Sequence, residues 1–419
     1  MTYLTLGEVA EYINGRAFKP NEWEDVGLPI IRIQNLTNST QVINRTSKVF
    51  EDKYLVKDGD LLFAWSASLG AHIWHGEDGW LNQHIFKVIP HANIDKMYLY
   101  YFLLHVIDEL YAKTHGSGMV HITLKPFKST PIPVPELDVQ KQIVETISNL
   151  LFKLDEAKEK AQEVVDGFET RKVAILHRAF SGELTAKWRE ERGVKSNNWE
   201  LTNLQDVCEK IVCGKTPTEY IAEHGEVPFL KVYNIVDNQI DFETNPQFIP
   251  QSIQHGKLKS SVLKPNDVIM NIVGPPLRKI AIIPDTYPEW NMNQAIVRFR
   301  PTEGLSHKFL YYALINPETL DDVIAATRGV VGQANISVSQ SRSLTINMPS
   351  WDEQIEVVKI LDCIIEKERD AKDAAIAVIE RIDTMKKAIL ARAFRGELGT
   401  NDPSEESAVE LLRKTIGEK

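Results

Sequence analysis

"ILHRAFSGEL" (Ile175–Leu184) and "ILARAFRGEL" (Ile389–Leu398) agree at eight of ten positions and stand 214 residues apart in a chain of 419. At that constant offset the match extends upstream. "PELDVQKQIVETI" (Pro135–Ile147) lies against "PSWDEQIEVVKIL" (Pro349–Leu361), and "HITLKPFKS" (His121–Ser129) against "NISVSQSRS" (Asn335–Ser343). Earlier still the offset drifts, as loop insertions would cause. "LNQHIFKV" (Leu81–Val88) resembles "MNQAIVRF" (Met292–Phe299), "VKDGDLLF" (Val56–Phe63) resembles "LKPNDVIM" (Leu263–Met270), and "LPIIRIQNL" (Leu28–Leu36) resembles "VPFLKVYNI" (Val227–Ile235). A repeat of this kind decides the fold before any local reading does. The chain is one unit written twice.

Each unit ends in a long helix. Pro135 and Pro349 stop the preceding extended segment, and Asp138 and Asp352 stand where an N-cap is expected. Apolar positions then alternate at spacings of four and three: Ile143, Ile147, Leu150, Leu154, Ala157, Ala161, Val164 and Phe168. That is a heptad seam. The second copy runs Val357, Leu361, Ile364, Ala371, Ala375, Val378, Ile382, Met385 and Ile389, interrupted at Glu368. Gly182 and Gly396 follow the last apolar turns, where a left-handed residue closes a helix. The order globule, helix, globule, helix predicts an antiparallel pair of ~40-residue helices, ~60 Å long, with a globule at each end and an approximate twofold relation. Short β-rich runs ("PIIRIQNL", "DLLFAWS", "AIVRFR") mixed with "MYLYYFLLHVIDELYAK" give the globules an α/β (α+β) character. The expected division is globule 1–132, helix 133–182, polar connector 183–198, globule 199–346, helix 347–397 and tail 398–419.

Composition excludes little. Apolar (43%) and charged (25%) fractions are ordinary, and the length exceeds a single core. No apolar run is long enough to span a bilayer and no basic-then-apolar leader opens the chain. Cys208, Cys213 and Cys363 lack metal-ligand spacing, which fits a reducing, cytoplasmic setting. The net charge of −10 disfavours a broad basic surface but not a local one.

Motifs for independent catalysis are missing. "CGKT" (Cys213–Thr216) ends like a phosphate loop, but Glu209 stands where its first glycine belongs. "NIVGPP" (Asn271–Pro276) faintly resembles an amino-methyltransferase motif with misplaced prolines and no aromatic, so a strand end is expected there. "PDTYPEW" (Pro284–Trp290) begins like a nuclease motif and lacks its Glu-x-Lys. His72 and His75 have no third ligand, so no metal site is expected.

What remains is polar and basic loop material recurring in both copies. In the first globule it comprises Arg32, Gln34 and Asn35; Ser66 and Ser68; and Lys113, His115, Ser117, His121 and Lys125. In the second it comprises Lys215, Thr216, Lys231, Asn234, Asn271, Arg278, Lys279, Arg328, Gln333, Asn335 and Arg342. Asn, Gln, Arg and Lys can read base edges, and Ser, Thr and backbone amides hold phosphates. These residues are the candidate DNA contacts.

The residues quoted, with "AFSGELTAKWREE" (Ala179–Glu191), "GDLLFAWSASLGAHIW" (Gly59–Trp74) and the Pro-x-x-Asp-x-Gln entry to each helix, resemble the type I restriction–modification specificity (S) subunits over nearly the whole chain. The first entry has Val139 where that family often has Glu. The resemblance implies two target-recognition domains, each reading one half of a split, asymmetric site in double-stranded DNA, with the helices setting the gap. It also implies that this chain is not itself an enzyme. Two modification subunits with S-adenosylmethionine would methylate adenine N6, and restriction/translocase subunits would use ATP and Mg. Two other readings compete: a self-contained methyltransferase or nuclease with diverged motifs, and a coiled-coil adaptor without DNA.

Overall fold

The computed structural model describes residues 2–37, 42–66, 68–112, 122–194, 198–217, 221–327 and 334–398. The chain divides into two compact units. One takes the described residues of 1–162 and 376–419, the other residues 163–375. The boundary cuts through both long helices, Leu137–Phe180 and Trp351–Phe394, so each unit holds a globule and half of each helix. Among the described residues no helix is long and apolar enough to cross a membrane.

In the first unit, one sheet orders its antiparallel strands Ala10–Asn14, Ile85–Pro90, Leu61–Ala64 and Gly70–Ile73. A second sheet orders Arg45–Thr46, Leu28–Ile31, Gly79–Leu81 and Leu55–Val56, with Leu28–Ile31 parallel to Gly79–Leu81. The second unit repeats the first order in full, Val212–Cys213, Ile296–Phe299, Val268–Asn271 and Ile280–Ile282, and three strands of the second, Phe248–Ile249, Val227–Leu230 and Asn291–Met292, again with a parallel pair; a single bridge from Leu263 to Trp290 stands where the fourth strand would be. An antiparallel ribbon closes each globule, Thr2–Thr5 on Pro131–Val134 and Glu200–Asn203 on Thr345–Met348. Entry and exit strands are therefore neighbours, and the long helix starts directly beyond them.

The helix entries correct one expectation. The first helical bonds run from Gln140 N to Glu136 O (3.0 Å) and from Gln354 N to Ser350 O (2.9 Å). Asp138 and Asp352 thus lie inside the first turn, where a carboxylate meets the positive end of the helix dipole, and do not cap it. The glutamines carry the motif. Both are fully buried. Gln140 accepts from Asp95 N (2.9 Å) and donates to Asn93 O and Pro135 O. Gln354 accepts from Ser306 N (2.9 Å) and donates to Gly304 O and Pro349 O. Asp95 and Ser306 are the N-caps of the globular helices Lys96–His105 and His307–Ile315. Each glutamine therefore ties a long helix to the start of a globular one.

The helix ends are as read from the repeat. Gly182 and Gly396 have φ of +79° and +76°. Glu183 N bonds Arg178 O, Gly182 N bonds Ala179 O, and the same pair recurs at Glu397–Arg392 and Gly396–Ala393. This is a Schellman closure, which favours glycine at the left-handed residue. Leu176, Ala179 and Phe180 enter the core of the second globule; Ile389, Leu390, Ala393 and Phe394 enter that of the first. Phe394 sits edge-on to Tyr98 and Phe102, at 5.2 and 5.1 Å, and Phe180 meets Phe309 at 5.3 Å. Each helix therefore leaves one globule and ends in the core of the other.

Within each unit the helix halves run antiparallel. Lys158–Asp383 (2.9 Å) and Lys386–Asp155 bridge them in the first unit, and Arg171–Glu368 (2.6 Å) in the second. Glu368, the interruption in the heptads, is thus a cross-helix partner. The seam is shallower than its pattern implies: Ala157, Ala371 and Val378 are exposed. Two helices alone share one narrow face, and deep burial begins where a globule adds a third layer. The connector is also more ordered than its polarity implies. Ala186–Glu191 is helical, and its Arg189 is buried against Glu353.

Burial lowers the pKa of His72, His105 and His307 from 6.5, with Arg395 adding to the effect at His105 and Lys308 at His307. The folded chain therefore takes up protons at these residues at lower pH than the unfolded chain, which does so below pH ~6.5. Stability should therefore fall as pH drops from 7 towards 5. Thermal melting across that range checks this, and His105→Gln should shallow the decline.

Candidate nucleic-acid interface

The polar loops converge on one turn in each globule. In the first unit this is Asn82–His84, between Gly79–Leu81 and Ile85–Pro90. Asn82 N donates to Ile31 O (3.1 Å), Gly15 N to Ile85 O (3.0 Å), Trp65 N to His84 O (3.1 Å) and Ile122 N to Trp65 O (3.1 Å). Four separate segments are so gathered around one reversal. In the second unit the same bonds recur: Asn293 N to Leu230 O (3.0 Å), Gly214 N to Ile296 O (3.1 Å), Ile272 N to Ala295 O (2.8 Å) and Ile336 N to Ile272 O (2.9 Å). Gly15 and Gly214 are demanded by close approach. A Cβ would lie 2.1 Å from Asn82 O in one case and 2.0 Å from Met292 O in the other. The glycine of "CGKT" therefore packs against a turn and forms no phosphate loop.

The frame is shared, but beyond its glycine and Asn-Gln dipeptide the side chains around it differ. Around the first turn Trp65 stacks on Phe86 (5.7 Å), meets His84 edge-on (5.3 Å) and donates from its indole to Asn14 Oδ1 (2.9 Å). The corresponding places in the second unit hold Ile272, Ala295 and Cys213. Gln83 and Gln294 are exposed at the two turns. The amide nitrogen of Gln83 lies 3.1 Å from His84 Nε2, and Gln294 Oε1 accepts from the Thr216 hydroxyl.

The candidate residues divide by what their polar atoms already do. Ser68, Lys125, Lys215, Thr216 and Asn335 are exposed, and Asn335 pairs with Val273 beside the second turn. Arg32 is half-buried, over Trp23 at 5.4 Å and bonded to Asn44 Oδ1. Gln34 and Lys231 are half-buried near the same strand ends, the Lys231 ammonium 6.0 Å from the Tyr233 ring. Others have polar atoms already bonded within the fold, and Asn271, Asn234 and Ser66 are buried. Asn271 is fully buried, donating to Val273 O and Pro276 O and accepting from Lys279 N. It ends a strand, as expected of "NIVGPP". Asn234 is buried and holds its own turn through Lys231 N, Asp241 O and Asn245 O. Asn35, its counterpart, accepts from Arg32 N. Ser66 is buried. Arg342 spends its guanidinium on Ile211 O, Arg278 on Asp321 and Pro317 O, and Lys279 reaches Val232 O. Lys113, His115, Ser117, His121, Arg328 and Gln333 lie outside the described residues. Among the described residues no group of His, Cys, Asp and Glu is placed to hold a metal.

The turns Asn82–His84 and Asn293–Ala295 were absent from the candidates. Their signal was present: Asn-Gln is an identical dipeptide within a stretch where the copies otherwise drift.

The family described as type I restriction modification DNA specificity domain matches residues 1–165 and 196–381, once over each copy. The chain belongs to this family. It is a non-catalytic specificity component of a type I restriction–modification system. It is 23% identical to the EcoBI specificity subunit of Escherichia coli, covering 99% of this chain and 92% of that one. It is 26% identical to the MjaVIII specificity subunit of Methanocaldococcus jannaschii, covering 94% and 92%. Among solved structures, the fold is shared with the HsdS subunit from Thermoanaerobacter tengcongensis (TM-score 0.62, 19% identity, 95% and 97% covered). A chain from a structure of the assembly and conformational transition of the type I R-M system superposes with TM-score 0.70 at 19% identity, covering 95% and 98%.

Proposed function

We propose that each globule reads one half of a bipartite, asymmetric DNA site, and that the helices set the gap and dock two methyltransferase subunits. The observation that carries this is one main-chain frame bearing two different sets of side chains. The positions of Trp65, His84 and Asn14 in one copy are taken by Ile272, Ala295 and Cys213 in the other. A repeated reader with unlike contacts specifies two unlike half-sites. Catalysis, with S-adenosylmethionine, ATP and Mg, falls to the partner chains, which methylate adenine N6 and restrict unmodified DNA. Phe152, Val173, Ile376 and Val378, exposed on the long helices, support docking there. Partner chains also account for an acidic total in a DNA-binding component, because they share the phosphate contacts.

The test is to co-express the chain with its modification subunits and map methylated adenines across a genome. A two-part motif with a fixed gap is expected, and exchanging 199–346 for another family member's second globule should change one half only. A motif unmoved by that exchange sinks the proposal.

A further inference from the structure

The Asn-Gln turn poses a question that base reading does not answer. Two globules built to read different sequences carry the same dipeptide at the same reversal, held by the same main-chain bonds. An identical base reader in both would demand the same base at the same place in both halves. A contact to the sugar-phosphate backbone makes no such demand.

The hydrogen bonding points the same way. Asn293 turns its side chain inward, its Oδ1 accepting from Ala295 N (3.2 Å), as an Asx turn does. The glutamines point outward. Gln83 gives one amide N–H to His84 Nε2 and keeps the other. Gln294 uses its carbonyl oxygen to accept from Thr216 and keeps both amide hydrogens. In each copy a donor remains for an outside acceptor. Reading adenine bidentately would need the amide's oxygen as well as its nitrogen, and in the second copy that oxygen is engaged. The turn is rigid, held on its flanks by strands and by the four bonds already described, so a donor on it is pre-placed.

We propose that Gln83 and Gln294 are matching positioning contacts. Each donates its amide N–H to a phosphodiester oxygen and so fixes its globule at one register on its half-site, while the unlike residues around it read the bases. This rests on the DNA-reading function above.

The test uses the full chain in complex with its modification subunits and a duplex carrying the motif that methylation mapping returns. Gln83→Ala and Gln294→Ala should each weaken binding about tenfold, the effect of losing a hydrogen bond to a charged group. The motif should be unchanged. The salt dependence should also be unchanged, because a neutral amide displaces no counterion. Gln83→Lys and Gln294→Lys should restore affinity and steepen the log–log salt slope by about 0.9 each. Gln83→Glu, of the same shape, should bind worse than the alanine variant. Melting temperatures should match the wild type, since both side chains are exposed. Relaxed base preference in one half-site would overturn the clamp in favour of base readout, and so would lysine variants that fail to bind. Alanine variants that bind like wild type would also overturn it. A wild-type complex that methylates no two-part motif would instead sink the underlying DNA-reading function.

Discussion

Replacing Arg189 by alanine is expected to destabilise the second unit by about 3–5 kcal/mol, the cost of stranding one partner of a buried ion pair. Arg189 and Glu353 are 8% and 5% exposed. The guanidinium donates to Glu353, to Thr185 Oγ1 (2.8 Å) and to Gly182 O (2.7 Å), and the Thr185 hydroxyl donates to Glu353 (2.7 Å). The network ties the segment after the helix-ending glycine to the first turn of the other long helix. Glu353→Ala should cost a similar amount, leaving Arg189 buried and unpaired. The paired change Arg189→Leu with Glu353→Val should recover most of the loss, because it removes both charges together and leaves neither buried without its partner. Val139 occupies the position of Glu353 in the first copy, where the segment after Gly396 has no arginine matching Arg189. Denaturant unfolding of the wild type, Arg189→Leu, Glu353→Val and the pair, read by hydrogen exchange in residues 199–346, gives the coupling. Single and double variants with additive losses would refute it.

Much of this architecture was legible because it was written twice. The Ala-Phe-x-Gly-Glu-Leu endings, the glycines after them and the order of the parts together required two helices running in opposite senses. Each helix had to end where the other began. Side-chain direction was far less legible. Asn234 and Asn271 have the right chemistry for base edges, but asparagine serves equally well inside a turn, and only the position of neighbouring carbonyls decides which. Arg189 sat in a stretch read as a polar connector, because an arginine buried by a partner 164 residues away leaves no local trace. Asp138 and Asp352 looked like caps because the pattern before a helix fixes its start only to within a residue or two. The Asn-Gln turn is hard to see in the sequence for a different reason. A two-letter identity inside a drifting alignment carries little weight until the bonds around it are seen to repeat.

Those repeated bonds make the helix-entry glutamines the second place where a single change should be severe. In Gln354→Ala the buried Ser306 N–H loses its acceptor, and Gly304 O and Pro349 O lose their donor. The Gln140→Ala variant does the same to Asp95 N–H, Asn93 O and Pro135 O. An unsatisfied buried polar group costs about 1–3 kcal/mol, so with three affected the loss should reach about 3 kcal/mol or more per site. Much of the rest depends on whether water can enter the space left behind. Gln354→Glu distinguishes this from simple loss of volume. It keeps the acceptor for Ser306 N–H but replaces the amide donor with a second oxygen facing two carbonyls. It should therefore be nearly as damaging as alanine despite its matching shape. The effect should reach function through geometry, because the glutamine sets the angle at which each long helix leaves its globule. In the assembled complex, Gln140→Ala or Gln354→Ala should lower methylation at every site without changing the letters of either half. A methylation map in which one half-site lost its sequence preference would instead place the glutamine at the DNA surface, against its complete burial in the fold.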